Sequence, residues 1–125
     1  MVLGTGIDLV DVPRLERFRL RFGRRGLDRL FTPGELDYCL GLADPDPSLA
    51  ARFAAKEAFF KALGLGAGRG GRWVEVEVLR CADGRPSLLL RGRAREAARE
   101  AGVRGVHVSL THTRQFAAAH VVVDG

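Results

Sequence analysis

The spacing of apolar residues along the chain predicts nine elements in the order β-α-α-α-β-β-α-β-β. Period-two or continuous apolar runs predict strands, and apolar positions that repeat every three to four residues predict helices. This order is typical of a single α+β domain over residues 1–125, with helices packed on a mainly antiparallel sheet. The predicted strands cover residues 2–10, 73–80, 87–90, 106–111 and 116–123, and the helices cover residues 13–22, 33–42, 49–63 and 93–101.

Helix-capping residues define most of these boundaries. Gly23 is predicted to end the first helix, because glycine readily adopts the left-handed conformation that terminates helices. Residues 32–35, T-P-G-E, form a capping box with proline at the first helical position, so a helix is expected to begin there. Ser48 is predicted to cap the third helix, and Gly64 to end it.

The first strand carries two glycines on one side. Gly4 and Gly6 share the parity of Asp8 near the strand's end. Glycine within a strand often marks a place where another group approaches the backbone closely. We therefore expect a close neighbour beside Asp8.

The third helix is apolar on almost every side, so it is expected to be buried on most faces. It also holds the only two lysines, Lys56 and Lys61, among twenty basic residues. Glu57 and Lys61 stand in the favourable i, i+4 order for an ion pair, and Arg52 and Lys56 form a second, basic edge. These charges on a buried helix need an explanation.

Asp8 and Glu57 are suitable oxygen ligands for Mg²⁺, which commonly takes one or two carboxylates and completes its shell with water and phosphates. The alternatives are that Asp8 caps a turn and that Glu57 only pairs with Lys61. Lys56 and Lys61 are suited to hold phosphates, and Lys61 to donate a proton to a leaving oxygen. The alternative is that both lysines extend to solvent.

Residues 64–72 form a glycine-rich loop with two arginines. Backbone N–H groups and an arginine in such a loop can bind a phosphate, which makes Gly64, Gly66, Gly68 and Arg69 candidates. The loop lacks the G-K-[ST] ending of a Walker A motif, and it is equally compatible with a plain flexible turn. His112 emerges at the end of the last hairpin, where it suits either phosphate binding or a structural role.

The net charge of +5 and the pI of about 10.2 favour anionic partners. Arg14, Arg17 and Arg21 form a basic stripe that is either a solvated face or a dock for an acidic partner helix. One Trp and one Tyr provide little surface for stacking bases.

Two cysteines cannot build a disulfide framework, no secretory leader pattern begins the sequence, and no apolar run approaches the ~20 residues of a membrane span, so a cytoplasmic location without membrane contact is expected.

Four segments together resemble the bacterial holo-acyl-carrier-protein synthases, which are small 4′-phosphopantetheinyl transferases. Residues 6–10 with Arg14 resemble the family's N-terminal G-x-D motif, and residues 31–36 its F-T-x-x-E-L segment. Residues 52–64 are similar to the central R-F-A-x-K-E-A-x-x-K-A-x-G motif, and residues 108–112 followed by 117–119 to the V-S-[IL]-[ST]-H hairpin. The resemblance spans nearly the whole chain, and the central motif combined with the hairpin is its most specific part.

The resemblance implies transfer of the phosphopantetheine arm of coenzyme A to a serine of an apo acyl carrier protein, with release of adenosine 3′,5′-bisphosphate. It also implies a cytoplasmic homotrimer with its sites between subunits. Asp8 and Glu57 would hold Mg²⁺, and Lys61 would stabilise the leaving phosphate. The remaining implied contacts are to coenzyme A by Arg52, Lys56, Lys61, Gly64, Gly66, Gly68, Arg69 and His112, and to the acidic carrier protein by Arg14, Arg21 and Arg24.

Two other functions are compatible with parts of the sequence. A basic nucleic-acid-binding domain explains the net charge and the arginine stripe but not Asp8 or the Glu57–Lys61 helix. A non-catalytic relative that binds carrier protein or coenzyme A would keep the pocket without turnover.

Overall fold

The computed structural model describes residues 1–125. Its elements follow the predicted order, and the α+β fold class is confirmed. One turn of 3-10 helix, Trp73–Glu75, precedes the second strand. The helices and strands are β1 (Val2–Asp11), α1 (Val12–Leu30), α2 (Pro33–Leu40), α3 (Asp46–Leu63), β2 (Val76–Arg80), β3 (Pro86–Leu90), α4 (Gly92–Glu100), β4 (Gly105–His112) and β5 (Phe116–Asp124).

The strands form two antiparallel sheets. A three-stranded sheet has the order β1-β5-β4, and β2 and β3 form a separate hairpin. The C-terminal β5 is therefore the central strand, paired with β1 on one side and β4 on the other. Asp8 lies opposite Ala119 in this register, and His112 lies opposite Ala117.

Helix α3 packs directly on β1 because two glycines leave room for it. A Cβ atom on Gly4 would lie 2.1 Å from the Ala62 carbonyl oxygen, and one on Gly6 would lie 1.9 Å from that of Ala58. The neighbour expected beside the strand glycines is thus the backbone of α3. This contact brings the C-terminal half of α3 next to Asp8.

The first helical segment of α1 ends at Gly23 as predicted, and a second helical segment, which the sequence analysis did not predict, follows it. Gly23 has non-helical backbone angles (φ 61°, ψ −154°), yet the chain resumes helical structure through Leu30. Leu27 and Leu30 are both buried. Burial of these two residues stabilises the second segment, which begins after the kink at Gly23.

Two further boundaries differ from the sequence-based prediction. Helix α3 begins at Asp46, and Ser48 lies inside it, where its hydroxyl accepts a hydrogen bond from Arg52. Residues 73–75 form the 3-10 turn instead of the start of a strand. The capping box of α2 is confirmed, with Thr32 Oγ1 accepting from the Glu35 N–H and Glu35 accepting from the Thr32 N–H.

The core has two clusters that meet along α3. One packs the second half of α3, including Phe59 and Phe60, against β5, β2 and α4. The other packs its first half, including Leu49, against α1 and α2. None of the four helices combines the length and the apolar character needed to cross a bilayer.

Candidate active site

Asp8 and Lys61 form an ion pair between β1 and α3. The Lys61 ammonium donates to Asp8 Oδ1 at 3.0 Å and to the Ile7 carbonyl oxygen at 2.9 Å. The expected i, i+4 ion pair of Lys61 with Glu57 is not formed in this arrangement. Because the Lys61 side chain is 56% exposed, its ammonium remains accessible to a ligand.

Glu57 lies close to Asp8 in a shared cavity. Burial raises the pKa of Glu57, the negative charge of Asp8 raises it further, and Trp73 and Lys61 act in the opposite direction. The cavity measures about 410 Å³, and Arg14, Phe53 and Trp73 also line it. Two like charges held this close favour the binding of a cation between them.

The chemistry of this pair fits a hard divalent cation. No group of three or more His, Cys, Asp or Glu side chains converges anywhere in the structure, so the protein offers no complete metal cage. Mg²⁺ does not need one, since it takes one or two carboxylates and fills its shell with water and substrate phosphates. Asp8 and Glu57 provide such a donor set beside an open cavity.

Lys56 does not share the environment of Lys61. Its side chain is fully buried, and its three N–H donors contact Glu35 Oε1 at 2.7 Å and the carbonyl oxygens of Trp73 at 3.0 Å and Val76 at 2.6 Å. Burial lowers the pKa of Lys56, while the charge and hydrogen bond of Glu35 oppose that shift. With every donor used inside the protein, Lys56 has none left for the phosphate contact expected from the sequence.

Arg52 and His112 meet at a different cavity, of about 490 Å³. Arg52 donates to Ser48 Oγ at 2.7 Å and stacks on Tyr38, with 4.8 Å between the guanidinium carbon and the ring centroid. Its Nε is buried without a hydrogen-bond partner. Arg80 lines the same cavity and bonds to the Tyr38 hydroxyl. This cluster of positive charge is suited to an anionic ligand.

The candidate residues are therefore divided between two cavities with no lining residue in common. Arg52 and Glu57 are five residues apart on α3, which corresponds to about 7.5 Å along the axis and roughly 140° around it. One protomer cannot direct both side chains at the same point. The sequence analysis placed Arg52 and Glu57 on separate edges of the helix but did not predict that these edges face separate cavities.

The glycine-rich loop is open to solvent at its candidate positions. Gly64 ends α3 in the left-handed conformation (φ 72°), and Gly68 also has a positive φ of 97°. Gly66 and Gly68 have no neighbours where a Cβ would lie. Arg69 is exposed, and its carbonyl oxygen accepts from Arg93 at 3.0 Å. The loop thus has room for a ligand, and the Gly64 N–H donates to the Lys61 carbonyl oxygen at 3.0 Å.

The three basic residues expected to meet a partner are all exposed on α1. Arg14 borders the Asp8–Glu57 cavity. Arg21 lies 5.1 Å from the centroid of the Phe22 ring, and Arg24 pairs with Asp28 at 3.0 Å. Arg14 and Arg21 carry the available positive charge of this face, since the charge of Arg24 is partly compensated.

Three residues at the cavities were not identified from the sequence: Tyr38, Trp73 and Arg80. Assignment of Trp73 to a strand hid its position beside Glu57. The available signal was that this chain has a single Trp, located directly after a glycine- and arginine-rich loop.

A model of the 4′-phosphopantetheinyl transferase superfamily matches residues 4–119. The chain belongs to this superfamily. The family predicted from the four sequence segments is thereby confirmed, as is its classification as a transferase.

Other members of the 4′-phosphopantetheinyl transferase superfamily match over nearly all of their length. The holo-[acyl-carrier-protein] synthase of Moorella thermoacetica is 50% identical over 123 residues, covering 98% of this chain and 94% of that protein. The crystal structure of holo-[acyl-carrier-protein] synthase from Neisseria meningitidis has a TM-score of 0.91 at 31% identity, with both chains fully covered. The Helicobacter pylori synthase in complex with coenzyme A has a TM-score of 0.84 at 31% identity, covering 96% of this chain and 99% of that one.

Proposed function

We propose that this chain transfers the 4′-phosphopantetheine group of coenzyme A to a serine of an apo acyl carrier protein, leaving adenosine 3′,5′-bisphosphate. The observation that carries the proposal is the convergence of Asp8, Glu57 and Lys61 at one site in a member of this superfamily. Similar proteins are named holo-[acyl-carrier-protein] synthase, and one was crystallised with coenzyme A.

In this reaction the serine hydroxyl oxygen attacks the phosphorus that carries pantetheine, and the bond from that phosphorus to the bridging oxygen breaks. Asp8 and Glu57 would hold Mg²⁺, which when bound neutralises charge on the pyrophosphate. The Lys61 ammonium, exposed and anchored beside Asp8, stabilises the charge that develops on the departing phosphate. The serine proton passes to a carboxylate or to water.

We assign the nucleotide end of coenzyme A to the second cavity and to the glycine-rich loop. The Arg52 guanidinium and the exposed ring of His112 line this cavity and are suited to bind its phosphates. Gly64, Gly66, Gly68 and Arg69 lie in a loop with open space around its glycines. Lys56 is left out of this set because its donors are all occupied within the protein.

Self-association explains how the two cavities act together. The outer face of the three-stranded sheet is uncovered, and it exposes 67% of Ile7 and 65% of Leu9 on β1 together with 42% of Phe116 on β5. A second copy of this chain can cover such a face and bring its own Arg52–His112 cavity to the Asp8–Glu57 cavity. We therefore propose a homotrimer with composite sites, as the resemblance implies.

The acidic carrier protein is proposed to dock on α1. Arg14 lies next to the carboxylate site, and Arg21 and Arg24 extend positive charge along the helix. Leu20 and Phe22 are exposed on the same helix and add apolar contact area. This arrangement would deliver the carrier's serine to the site that contains Lys61.

The wider setting is also proposed. We expect one domain over residues 1–125, a cytoplasmic location and a place in fatty-acid biosynthesis, where carrier proteins need the phosphopantetheine arm. The net charge of +5 alone supports nucleic-acid binding, and membership of the superfamily does not favour that alternative.

The decisive experiment incubates apo acyl carrier protein with coenzyme A, Mg²⁺ and this protein and follows the mass of the carrier. We expect the mass to increase by one phosphopantetheine group and the increase to require Mg²⁺. No increase with several carrier proteins, from folded enzyme that binds coenzyme A, would identify a non-catalytic relative. Salt-sensitive binding to DNA or RNA without coenzyme A binding would support the nucleic-acid alternative.

A further inference from the structure

The indole of Trp73 carries an unpaired polar group at the carboxylate site. Its N–H is buried and makes no hydrogen bond of normal geometry. The ring lines the cavity that also contains Asp8 and Glu57. A buried donor without a partner is destabilising, so its presence at a proposed active site needs an explanation.

Several contacts hold the indole next to Glu57. The Trp73 ring packs on Phe53, with 6.0 Å between the centroids and 37° between the planes. Phe53 and Glu57 are i, i+4 neighbours on α3, so a ring that covers the first lies beside the second. The Trp73 N–H also favours the charged form of Glu57, acting against the burial that raises its pKa.

The backbone of Trp73 is fixed from the other side by Lys56. The Lys56 ammonium donates to the Trp73 carbonyl oxygen at 3.0 Å, and the same ammonium is held by buried Glu35. The Trp73 main chain is therefore anchored to the buried Lys56–Glu35 pair, while its indole lines the cavity that contains Glu57.

We propose that Trp73 is a positioning residue: its indole N–H donates to Glu57 and holds that carboxylate in the orientation that faces Asp8. Lys56 acts through Trp73 by fixing its main chain. This inference rests on the proposed function, in which Glu57 and Asp8 are metal ligands. Hydrogen-bond partners of metal-binding carboxylates typically contribute 10- to 100-fold to metal affinity or activity.

The single Trp makes a one-atom test possible. Expression in a tryptophan auxotroph supplied with 3-benzothienylalanine replaces the indole N–H by sulfur at Trp73 alone. We expect the full-length protein to bind Mn²⁺ about tenfold more weakly, or worse, by electron paramagnetic resonance, with its unfolding midpoint retained. Trp73→Phe should show the same loss, and Leu89→Ala, at an exposed position on β3 that lines neither cavity, should not.

A second readout uses the unmodified protein. Its one indole N–H gives a single cross-peak in a ¹⁵N-correlated spectrum, and we expect the proton to move downfield as Mg²⁺ is added. Unchanged Mn²⁺ affinity in the substituted protein, or an indole proton whose chemical shift does not change on addition of Mg²⁺, overturns the inference. If the unmodified protein neither binds Mn²⁺ nor modifies a carrier protein, the proposed function fails, and this inference fails with it.

Discussion

The ammonium of Lys56 lies 2.7 Å from the Glu35 carboxylate, and neither side chain is accessible to solvent. The same carboxylate accepts hydrogen bonds from the backbone N–H groups of Thr32 and Val78. This pair therefore joins α3 to the start of α2 and to β2. It gives one of the chain's two lysines a role in the fold, while the other remains at the site.

Removing the buried ammonium should destabilise the protein. In Lys56→Met the Glu35 charge loses its partner in the core, which typically costs about 3–5 kcal/mol. Urea unfolding should show a lower midpoint for this variant, and Lys61→Met should unfold like the unaltered protein because its ammonium is largely exposed. A Lys56→Met protein of normal stability that has lost coenzyme A binding would instead favour the phosphate contact expected from the sequence.

The two lysines should also differ when each is replaced by arginine. Lys61→Arg keeps the charge at the site but not the compact ammonium, so we expect turnover per folded molecule to fall by an order of magnitude or more. Lys56→Arg forces a larger group into a full core, so it should reduce the folded fraction and the urea midpoint. Equal turnover of the two variants, each corrected for folded protein, would contradict this division of roles.

Much of this division was not accessible from the sequence. The third helix and its buried character follow from helical periodicity. The strand glycines predict a close neighbour beside Asp8 but do not identify it as α3. The burial of the Lys56 ammonium depends on its ion pair with Glu35, which is 21 residues away and belongs to the capping box of another helix. A tertiary contact of this kind cannot be predicted from the local spacing of residues in the sequence.

Two other differences have the same physical origin. Gly23 interrupts α1 as predicted, but burial of Leu27 and Leu30 stabilises a second helical segment that local sequence signals did not indicate. Arg52 and Glu57 belong to one sequence motif, yet they point to different cavities because five helical residues turn the chain by about 140°. A motif thus identifies residues that work together without saying whether one protomer unites them.

Neutralising Glu57 should separate metal binding from folding. We expect Glu57→Gln to lose at least two orders of magnitude in the Mg²⁺-dependent mass assay while its circular dichroism and unfolding midpoint are kept. Activity should fall because the amide removes a charged metal ligand. The fold should be kept because the amide also removes the repulsion between the Glu57 and Asp8 carboxylates. Asp37→Asn, at an exposed carboxylate on α2, is the control. Full activity of Glu57→Gln would remove this residue from the metal site.

A charge on the outer face of the sheet should break the proposed trimer. Ile7→Glu places a carboxylate among Leu9 and Phe116, so light scattering should report about the 13.6 kDa chain mass in place of three times that value. Carrier modification should be lost with the assembly if the cavities of two protomers form one site. Leu89→Glu, at an exposed apolar position on β3, should change neither. A fully active Ile7→Glu monomer would show that each protomer is complete.

Acid should weaken the link between Thr32 and Glu77. Burial alone would raise the pKa of Glu77, but hydrogen bonds from Thr32 and Arg91 and the positive charges of Arg91 and Lys56 outweigh it, so the pKa lies below its ordinary value of 4.5. A carboxyl whose pKa is lower in the folded state stabilises the protein above pH 4.5, and this contribution is lost as pH falls through the folded pKa.

Thr32→Val tests this link, because it removes the 2.6 Å hydrogen bond to Glu77 together with the helix cap. We expect the variant to be about 1–2 kcal/mol less stable at pH 7. The difference in unfolding free energy between the unaltered protein and Thr32→Val should become smaller as the pH is lowered below 4.5, since the unaltered protein loses more stability on protonation of Glu77. Thr113→Val also removes side-chain hydrogen bonds, but none to a carboxylate, so its gap should not change with pH. Urea unfolding at a series of pH values measures both gaps, and a Thr32→Val gap that is constant with pH would contradict the coupling.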